Sequence, residues 1–289
     1  MRLTLGPGPN DGSVDAVSHA VLQALAIFAV GIAAGTINTV VGSGTLITFP
    51  TLLSFGYPPV LANVSNNVGL VPGTLSGIQG YRRELTGQRA RIIRLGSASL
   101  LGGLVGAILL LVLPQSAFKA IVPVLIGLAL VMVVLQPWLA RLVAARPQAA
   151  AAGDSAAGDG TPDGSSAGPD ALQLGGPVLW VLVFALGIYG GYFGAAQGIL
   201  LLGLLGIAWN DDLQRINAFK NVLACIVNGV AAIVFIIATH IDWGAAGLIA
   251  AGSVIGGQVG ARVGRRLPPW GLRAIIVCVG VAALVRLLA

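Results

Sequence analysis

The sequence predicts an all-α polytopic membrane protein built from two inverted repeats of five helical segments each. Three observations lead to this fold class. The 289 residues are 56% hydrophobic and only 9% charged, with a mean hydropathy of +0.91, whereas soluble domains carry about 25% charged residues. Apolar runs recur at the length of about 20 residues that crosses the hydrocarbon core of a bilayer. The two halves also share a pattern of glycine, asparagine and proline at a constant spacing.

Ten apolar segments follow one another along the chain. They cover residues 17–41, 44–56, 60–80, 92–113, 117–139, 177–194, 198–209, 213–238, 245–264 and 271–288. Residues 140–176 are rich in Ala, Gly, Ser, Asp and Pro and lack apolar periodicity, which predicts a disordered linker. The linker separates a first transmembrane repeat, 17–139, from a second, 177–289, and residues 1–16 form an N-terminal tail.

The two halves match at a fixed offset of 154 residues. Asn63 falls on Asn217, and the glycine-rich run 102–107 falls on 256–261. Glycines four residues apart form small-xxx-small ridges, which predict close helix packing. A shared pattern of this kind, held in constant register, indicates a duplicated unit.

Loop charges predict opposite orientations for the two halves. Residues 81–94 carry five arginines, whereas their mate, 239–244, carries no Lys or Arg. The next loop, 114–119, carries one Lys, whereas its mate, 264–273, carries three Arg. Positively charged loops stay in the cytoplasm. The repeats are therefore predicted to be inverted, with a cytoplasmic linker and an extracytoplasmic N-terminal tail.

Each half is predicted to contain a broken or re-entrant helix pair that meets its counterpart near the membrane midplane. The segments 44–56, which contains Pro50, and 198–209 are too short to cross the bilayer. Upstream of them the match requires a two-residue gap, which pairs Gly35 with Gly191. Irregular backbone at this depth is tolerated only where it lines a cavity or is buried in protein. The new helix N-termini would attract an anion, as inverted-repeat transporters do at their discontinuous helices.

Polar side chains around the two breaks are the candidate ligands of such an anion. Asparagine is costly in lipid unless paired, so it either bonds between helices or binds a ligand. Lys220 lies within an apolar segment, where it either faces the substrate or snorkels to the cytoplasmic interface. The predicted substrate-binding set is Asn38, Thr39, Ser43, Thr45, Asn66, Asn67, Tyr192, Gln197, Lys220, Asn221 and Asn228, with Arg262 and Asn217 as weaker or gating candidates.

Several function classes are disfavoured by what the apolar segments contain. They hold no Asp or Glu, no nucleophile–base pair and no metal-ligand cluster, so we expect neither an enzyme nor a bound metal or cofactor. The basic residues lie in short loops between the apolar segments, which is typical of residues that set the orientation of a membrane protein. This argues against nucleic acid as a partner. The expected partners are the lipid bilayer and a small anionic substrate, and a homodimer stays open.

The stretch "GIAAGTINTVVGSGTLITFPTLLSFGYPPVLANVSNNVG" resembles the TauE/SafE family of membrane anion exporters. A weaker copy is "GIYGGYFGAAQGILLLGLLG" followed by "INAFKNVLACIVNGVAA". The resemblance implies a multi-pass protein of the inner membrane that exports sulfite or a small organosulfonate such as sulfoacetate from the cytoplasm. The alternatives are a passive anion channel and a membrane assembly protein that transports nothing.

Overall fold

The structure is a computed structural model that describes residues 11–144, 176–209, 211–263 and 269–288. Within these ranges it contains ten α-helices and no strand, which confirms the predicted all-helical fold. The helices are α1 (Asp11–Val40), α2 (Thr45–Ser54), α3 (Pro59–Gly80), α4 (Arg89–Val112), α5 (Gln115–Ala144), α6 (Pro177–Tyr192), α7 (Gln197–Ala208), α8 (Leu213–Ala238), α9 (Trp243–Val263) and α10 (Pro269–Leu288).

The protein is a multi-pass membrane protein by the length and composition of its helices. In the described part of the chain five helices are long and apolar enough to cross a bilayer: Val17–Val40, Arg89–Val112, Gln115–Trp138, Leu213–Ala238 and Trp243–Arg262. By contrast, α2 has 10 residues and α7 has 12. At 1.5 Å per residue they reach about 15–18 Å, which is short of a hydrocarbon core of about 30 Å. Large apolar side chains such as Val112, Val124 and Ile237 stand exposed, as a lipid-facing surface requires.

Two helices extend beyond the apolar segments predicted from the sequence. Helix α1 begins at Asp11, six residues before the predicted segment 17–41. Helix α5 continues to Ala144, because residues 139–144 are mostly strong helix formers. Residues 1–10 and residues 145–175 of the predicted linker lie outside the described residues.

The main contacts between helices are preserved when the two halves are exchanged. Helix α1 packs along α9 as α6 packs along α4, and α3 packs along α9 as α8 packs along α4. Helix α2 contacts α10 as α7 contacts α5, and α3 packs directly against α8. This is the packing expected of a duplicated unit.

Glycines allow the closest of these contacts. A Cβ atom on Gly106 would lie 2.1 Å from the carbonyl oxygen of Ile188, and one on Gly256 would lie 2.0 Å from that of Ile32. Because the obstacle is backbone in both cases, no side chain can be accommodated without separating the helices. The predicted packing role of the glycine ridges is confirmed at these positions.

Matched loops lie at opposite ends of the 22-residue helix α3. Near its start, the Ser65 hydroxyl accepts a hydrogen bond from the Asp242 N–H in the α8–α9 loop, at 3.0 Å. Just beyond its end, the Thr86 carbonyl accepts from Arg215 at 3.4 Å. Inverted repeats require this placement of loops 81–88 and 239–242. The orientation of the two halves across a bilayer stays a prediction.

Single-cysteine labelling tests that orientation. In a background without Cys225 and Cys278, we expect a membrane-impermeant maleimide to label His240→Cys in intact cells. We expect it to label Thr86→Cys only after the membrane is permeabilised, because the positive-inside rule places that loop in the cytoplasm. Both positions are exposed in the structure. Labelling of both from one side would rule out the inverted arrangement.

Candidate functional site

Each half contains a helical hairpin whose turn lies inside the protein. Residues 41–44 join α1 to α2, and residues 193–196 join α6 to α7. Gly42 and Gly194 take the left-handed backbone conformation, with φ of +88° and +76°, which glycine adopts at no steric cost. In each half the short helix therefore turns back along the helix that precedes it.

Turn geometry corrects the predicted register of the two halves. The Gly42 N–H donates to the Ile37 carbonyl at 3.0 Å, and the Gly194 N–H donates to the Tyr189 carbonyl at 3.1 Å. These equivalent residues are 152 apart, whereas the match predicted upstream of Gly44 used an offset of 156. Since α7 is two residues longer than α2, the extra residues lie in that short helix, and the offset returns to 154 beyond it.

The two turns meet at a pair of glycines. The Gly198 N–H donates to the Gly42 carbonyl at 3.1 Å. A Cβ atom on Gly42 would lie only 2.4 Å from the Gly198 Cα atom. This contact occupies a donor in the first turn of α7, so the N-terminus of α7 is partly closed to a ligand.

The N-terminus of α2 is more open. The first backbone hydrogen bond of α2 runs from the Leu46 N–H to the Ser43 carbonyl, at 3.1 Å. The N–H groups of Gly44 and Thr45 come before this bond in the chain and are not used by the helix. The Asn66 amide nitrogen donates to the Thr45 hydroxyl at 3.4 Å. The Ser43 hydroxyl and the Asn66 carbonyl oxygen, both in residues 1% exposed, have no partner among the described residues. An unpartnered buried polar group costs about 1–3 kcal/mol.

Lys220 brings a positive charge to the same region. Its side chain is 0% exposed, and its Nζ donates to the Asn38 carbonyl at 3.4 Å. Asn38 also donates to the Thr74 hydroxyl at 3.2 Å, and a Cβ atom on Gly44 would lie 3.1 Å from the Asn38 Cβ. Within the described residues both ion pairs use Asp211, which lies in the α7–α8 loop, so Lys220 has no carboxylate partner there. Full burial does not fit the snorkelling alternative.

Asparagines of each half cap the broken helix of the other half. Asn217 and Asn221 donate to the Thr39 carbonyl at 3.3 and 3.2 Å. Asn63 donates to the Tyr192 carbonyl at 3.1 Å. The last carbonyls of a helix have no partner within it, so these bonds hold the two breaks in place. Asn63 was not a predicted site residue, although its match with Asn217 was a signal for this shared role.

A second polar pair lies beside the other turn. The Asn67 amide nitrogen donates to the Asn228 carbonyl oxygen at 3.4 Å, which links α3 to α8. That oxygen would lie 3.9 Å from a Cβ atom on Gly194. The Asn67 carbonyl oxygen and the buried Tyr192 hydroxyl have no partner in the described part of the chain. Both turns therefore have neutral polar groups nearby that can still form hydrogen bonds.

Two predicted residues do not join this cluster. The Gln197 amide nitrogen donates to the Leu186 carbonyl at 3.4 Å, and its amide occupies the space that a Cβ on Gly190 would need. Gln197 therefore fills a gap within its own hairpin. Arg262 is exposed in the last turn of α9, because a charged head at a helix end can reach water.

Comparison with known proteins gives a family and several relatives. A family model described as "Sulfite exporter TauE/SafE" matches residues 27–287. A "Probable membrane transporter protein" of Haemophilus influenzae is 26% identical over 243 residues, which cover 82% of this chain and 83% of the relative. "Probable membrane transporter protein ORF9" of Sinorhizobium sp is 26% identical over 264 residues, 91% of each chain. "Probable membrane transporter protein YfcA" of Escherichia coli K12 is 24% identical over 267 residues, 91% of this chain and 88% of the relative. No solved structure gives a significant match.

The family match spans both hairpins and the buried lysine between α1 and α8. The relatives cover most of the chain, and all three are described as membrane transporters. The chain belongs to the TauE/SafE family and is a membrane transporter rather than an enzyme.

Proposed function

We propose that the protein is a secondary transporter that exports a small sulfur oxyanion, a two-carbon sulfonate or sulfite, across the inner membrane. The observation that carries this proposal is the fully buried Lys220, which has no acidic partner among the described residues and lies near the start of α2. A buried ammonium without a counter-charge is costly. An anionic substrate supplies that counter-charge at the moment it binds.

The donors around α2 suit an oxyanion. A sulfonate spreads one negative charge over three oxygens and accepts several hydrogen bonds. The Ser43 hydroxyl, the N–H groups of Gly44 and Thr45 and the Lys220 ammonium are all donors. The Asn66 carboxamide adds another when it rotates half a turn about its last bond. Bonds between charged partners contribute about 1.5–3 kcal/mol each.

The closed state of the site favours a transporter over a passive channel. Lys220, Ser43 and Asn66 are at most 1% exposed, so an anion reaches them only when the packed helices move apart. Duplicated halves around a central site are the usual basis of alternating access. A membrane potential that is negative inside favours anion efflux by about 2.3 kcal/mol per charge per 100 mV, so export needs no coupled ion.

Ser43→Ala tests the site without disturbing the fold. The Ser43 hydroxyl has no partner in the described structure, so its removal should leave the unfolding temperature of the free protein unchanged or raise it slightly. With a ligand bound, one hydrogen bond of about 0.5–1.5 kcal/mol is lost. We therefore expect an affinity about two- to tenfold weaker. The ligand is chosen by a thermal-shift screen of the purified protein against sulfite, isethionate, sulfoacetate and sulfate.

Ser99→Ala is the matched control for Ser43→Ala. Ser99 is equally buried and its hydroxyl is also unpartnered, but it lies within α4 rather than in either turn and is not a predicted ligand. We expect the same small effect on stability and no effect on affinity. A Ser43→Ala protein that binds every ligand of the screen as the Ser99→Ala protein does would exclude the start of α2 as the anion site.

A further inference from the structure

The two halves place different side chains at one matched position near the turns. Asn66 on α3 and Lys220 on α8 are separated by the repeat offset of 154 residues. They are 1% and 0% exposed. Helices α3 and α8 pack against each other and are joined by the Asn67–Asn228 hydrogen bond at 3.4 Å. One half therefore contributes a cation where the other contributes a neutral amide.

Lys220 is the only charged side chain that is buried in the described part of the chain. The remaining groups at the turns, Ser43, Thr45, Asn67 and Tyr192, are neutral. The open N-terminus of α2 adds about half a positive charge. The site therefore offers between one and about one and a half positive charges. A bound monoanion leaves a net charge between zero and about +0.5, whereas a bound dianion leaves between about −0.5 and −1.

We propose that the site selects monoanions with one sulfonate head and a neutral tail, and discriminates against dianions such as sulfoacetate. This inference rests on the proposed function and narrows its substrate class. The sulfonate binds Lys220 and the donors at the start of α2. The tail meets only uncharged amides and hydroxyls, which can bond a hydroxyl group but cannot neutralise a carboxylate. A second buried charge without a partner is strongly unfavourable.

Isethionate and sulfoacetate form a matched pair of probes. Both are two-carbon sulfonates. Isethionate ends in a neutral hydroxyl group, whereas sulfoacetate ends in a negatively charged carboxylate. Titration calorimetry on the purified full chain, at one pH and one ionic strength, should show isethionate binding at least tenfold more tightly. Equal or tighter binding of sulfoacetate overturns the selectivity and leaves the proposed function standing. If no compound of the thermal-shift screen binds, the proposed function fails and the selectivity falls with it.

Asn66→Lys tests the structural origin of the preference. A second cation at the matched position should raise the affinity for sulfoacetate relative to isethionate by at least tenfold. Asn66→Gln is the neutral control and should keep the preference for isethionate. An Asn66→Lys protein that folds and keeps the wild-type ratio would show that this position does not set the charge limit. The wild-type ratio is measured independently, so it decides the selectivity even where the lysine variant does not fold.

Discussion

Replacing Lys220 with methionine is expected to weaken sulfonate binding at least tenfold. Methionine keeps much of the apolar stem but removes the ammonium, and with it a charge-assisted bond of about 1.5–3 kcal/mol. A difference of about 1.4 kcal/mol is tenfold in affinity. The free protein should be as stable as wild type or more stable, because the ammonium is buried without an acidic partner among the described residues. Calorimetry and thermal unfolding measure the two effects separately.

Lys119→Met is the matched control for the loss of one positive charge. Lys119 is exposed at the start of α5, so its ammonium reaches water rather than the buried polar groups of the turns, and its loss should leave the affinity unchanged. Lys220→Arg should lose less affinity than Lys220→Met, because the charge stays but a planar guanidinium does not replace a compact ammonium. An unchanged dissociation constant for Lys220→Met would remove Lys220 from the binding site.

Replacing Gly198 with alanine is expected to destabilise the protein strongly. A Cβ atom there would lie 2.5 Å from the Gly42 Cα atom, and backbone cannot move aside as a flexible side chain does. The two turns would have to separate, which also lengthens the bond from the Gly198 N–H to the Gly42 carbonyl. Overpacking of this kind costs about 1–3 kcal/mol or more. We expect a clear fall in unfolding temperature in detergent.

Gly229→Ala is the control for the Gly198 substitution. Gly229 lies inside α8, and a Cβ atom there would meet nothing within 4 Å. Alanine should be neutral or stabilise the helix by up to about 1 kcal/mol. If the Gly198→Ala protein unfolds at the same temperature as the Gly229→Ala protein, the backbones of Gly42 and Gly198 are not in the close contact described.

The order of the helices could be predicted because the bilayer imposes a length on apolar segments. All ten predicted segments coincide with helices, within six residues at their described ends. The two largest extensions, to Asp11 and to Ala144, have a common cause. Hydropathy marks where lipid contact stops, whereas a helix continues as long as its residues favour it. Polar residues such as Arg141 can therefore extend a helix beyond the bilayer.

The partners of the polar residues could not be predicted, because they belong to the other half of the chain. Asn217 and Asn66 are the same residue type in the same kind of segment. The side-chain carbonyl oxygen of each lacks a partner among the described residues. Their amide nitrogens differ: that of Asn217 donates to the Thr39 carbonyl, and that of Asn66 donates to the Thr45 hydroxyl. Only the packing of α3 and α8 against the two hairpins determines which groups these amides meet, and a binding role for Asn66 stays a prediction. The sequence likewise predicts Gln197 as a ligand of the substrate, because it does not show that the missing side chain of Gly190 leaves space for the Gln197 amide within the same hairpin.

Lys220 is informative in both the sequence and the structure. Its position in an apolar segment left substrate binding and snorkelling open. Its full burial against the Asn38 carbonyl argues against snorkelling, and substrate binding stays a prediction. A long side chain snorkels only when its head can reach water. The sequence pattern identifies the unusual charge, and the structure places its ammonium at the carbonyl of Asn38, close to the break between α1 and α2.

Counter-transport in proteoliposomes tests the central claim most directly. Vesicles containing the full chain are preloaded with the sulfonate that most raises its unfolding temperature, then diluted into a trace of the same labelled compound. A transporter whose site contains Lys220 predicts a transient accumulation of label above equilibrium by the wild type. Lys220→Met vesicles of equal protein content should show little accumulation. Accumulation by Lys220→Met at the wild-type rate would contradict the assigned site, and wild-type uptake that never exceeds equilibrium would indicate a passive channel.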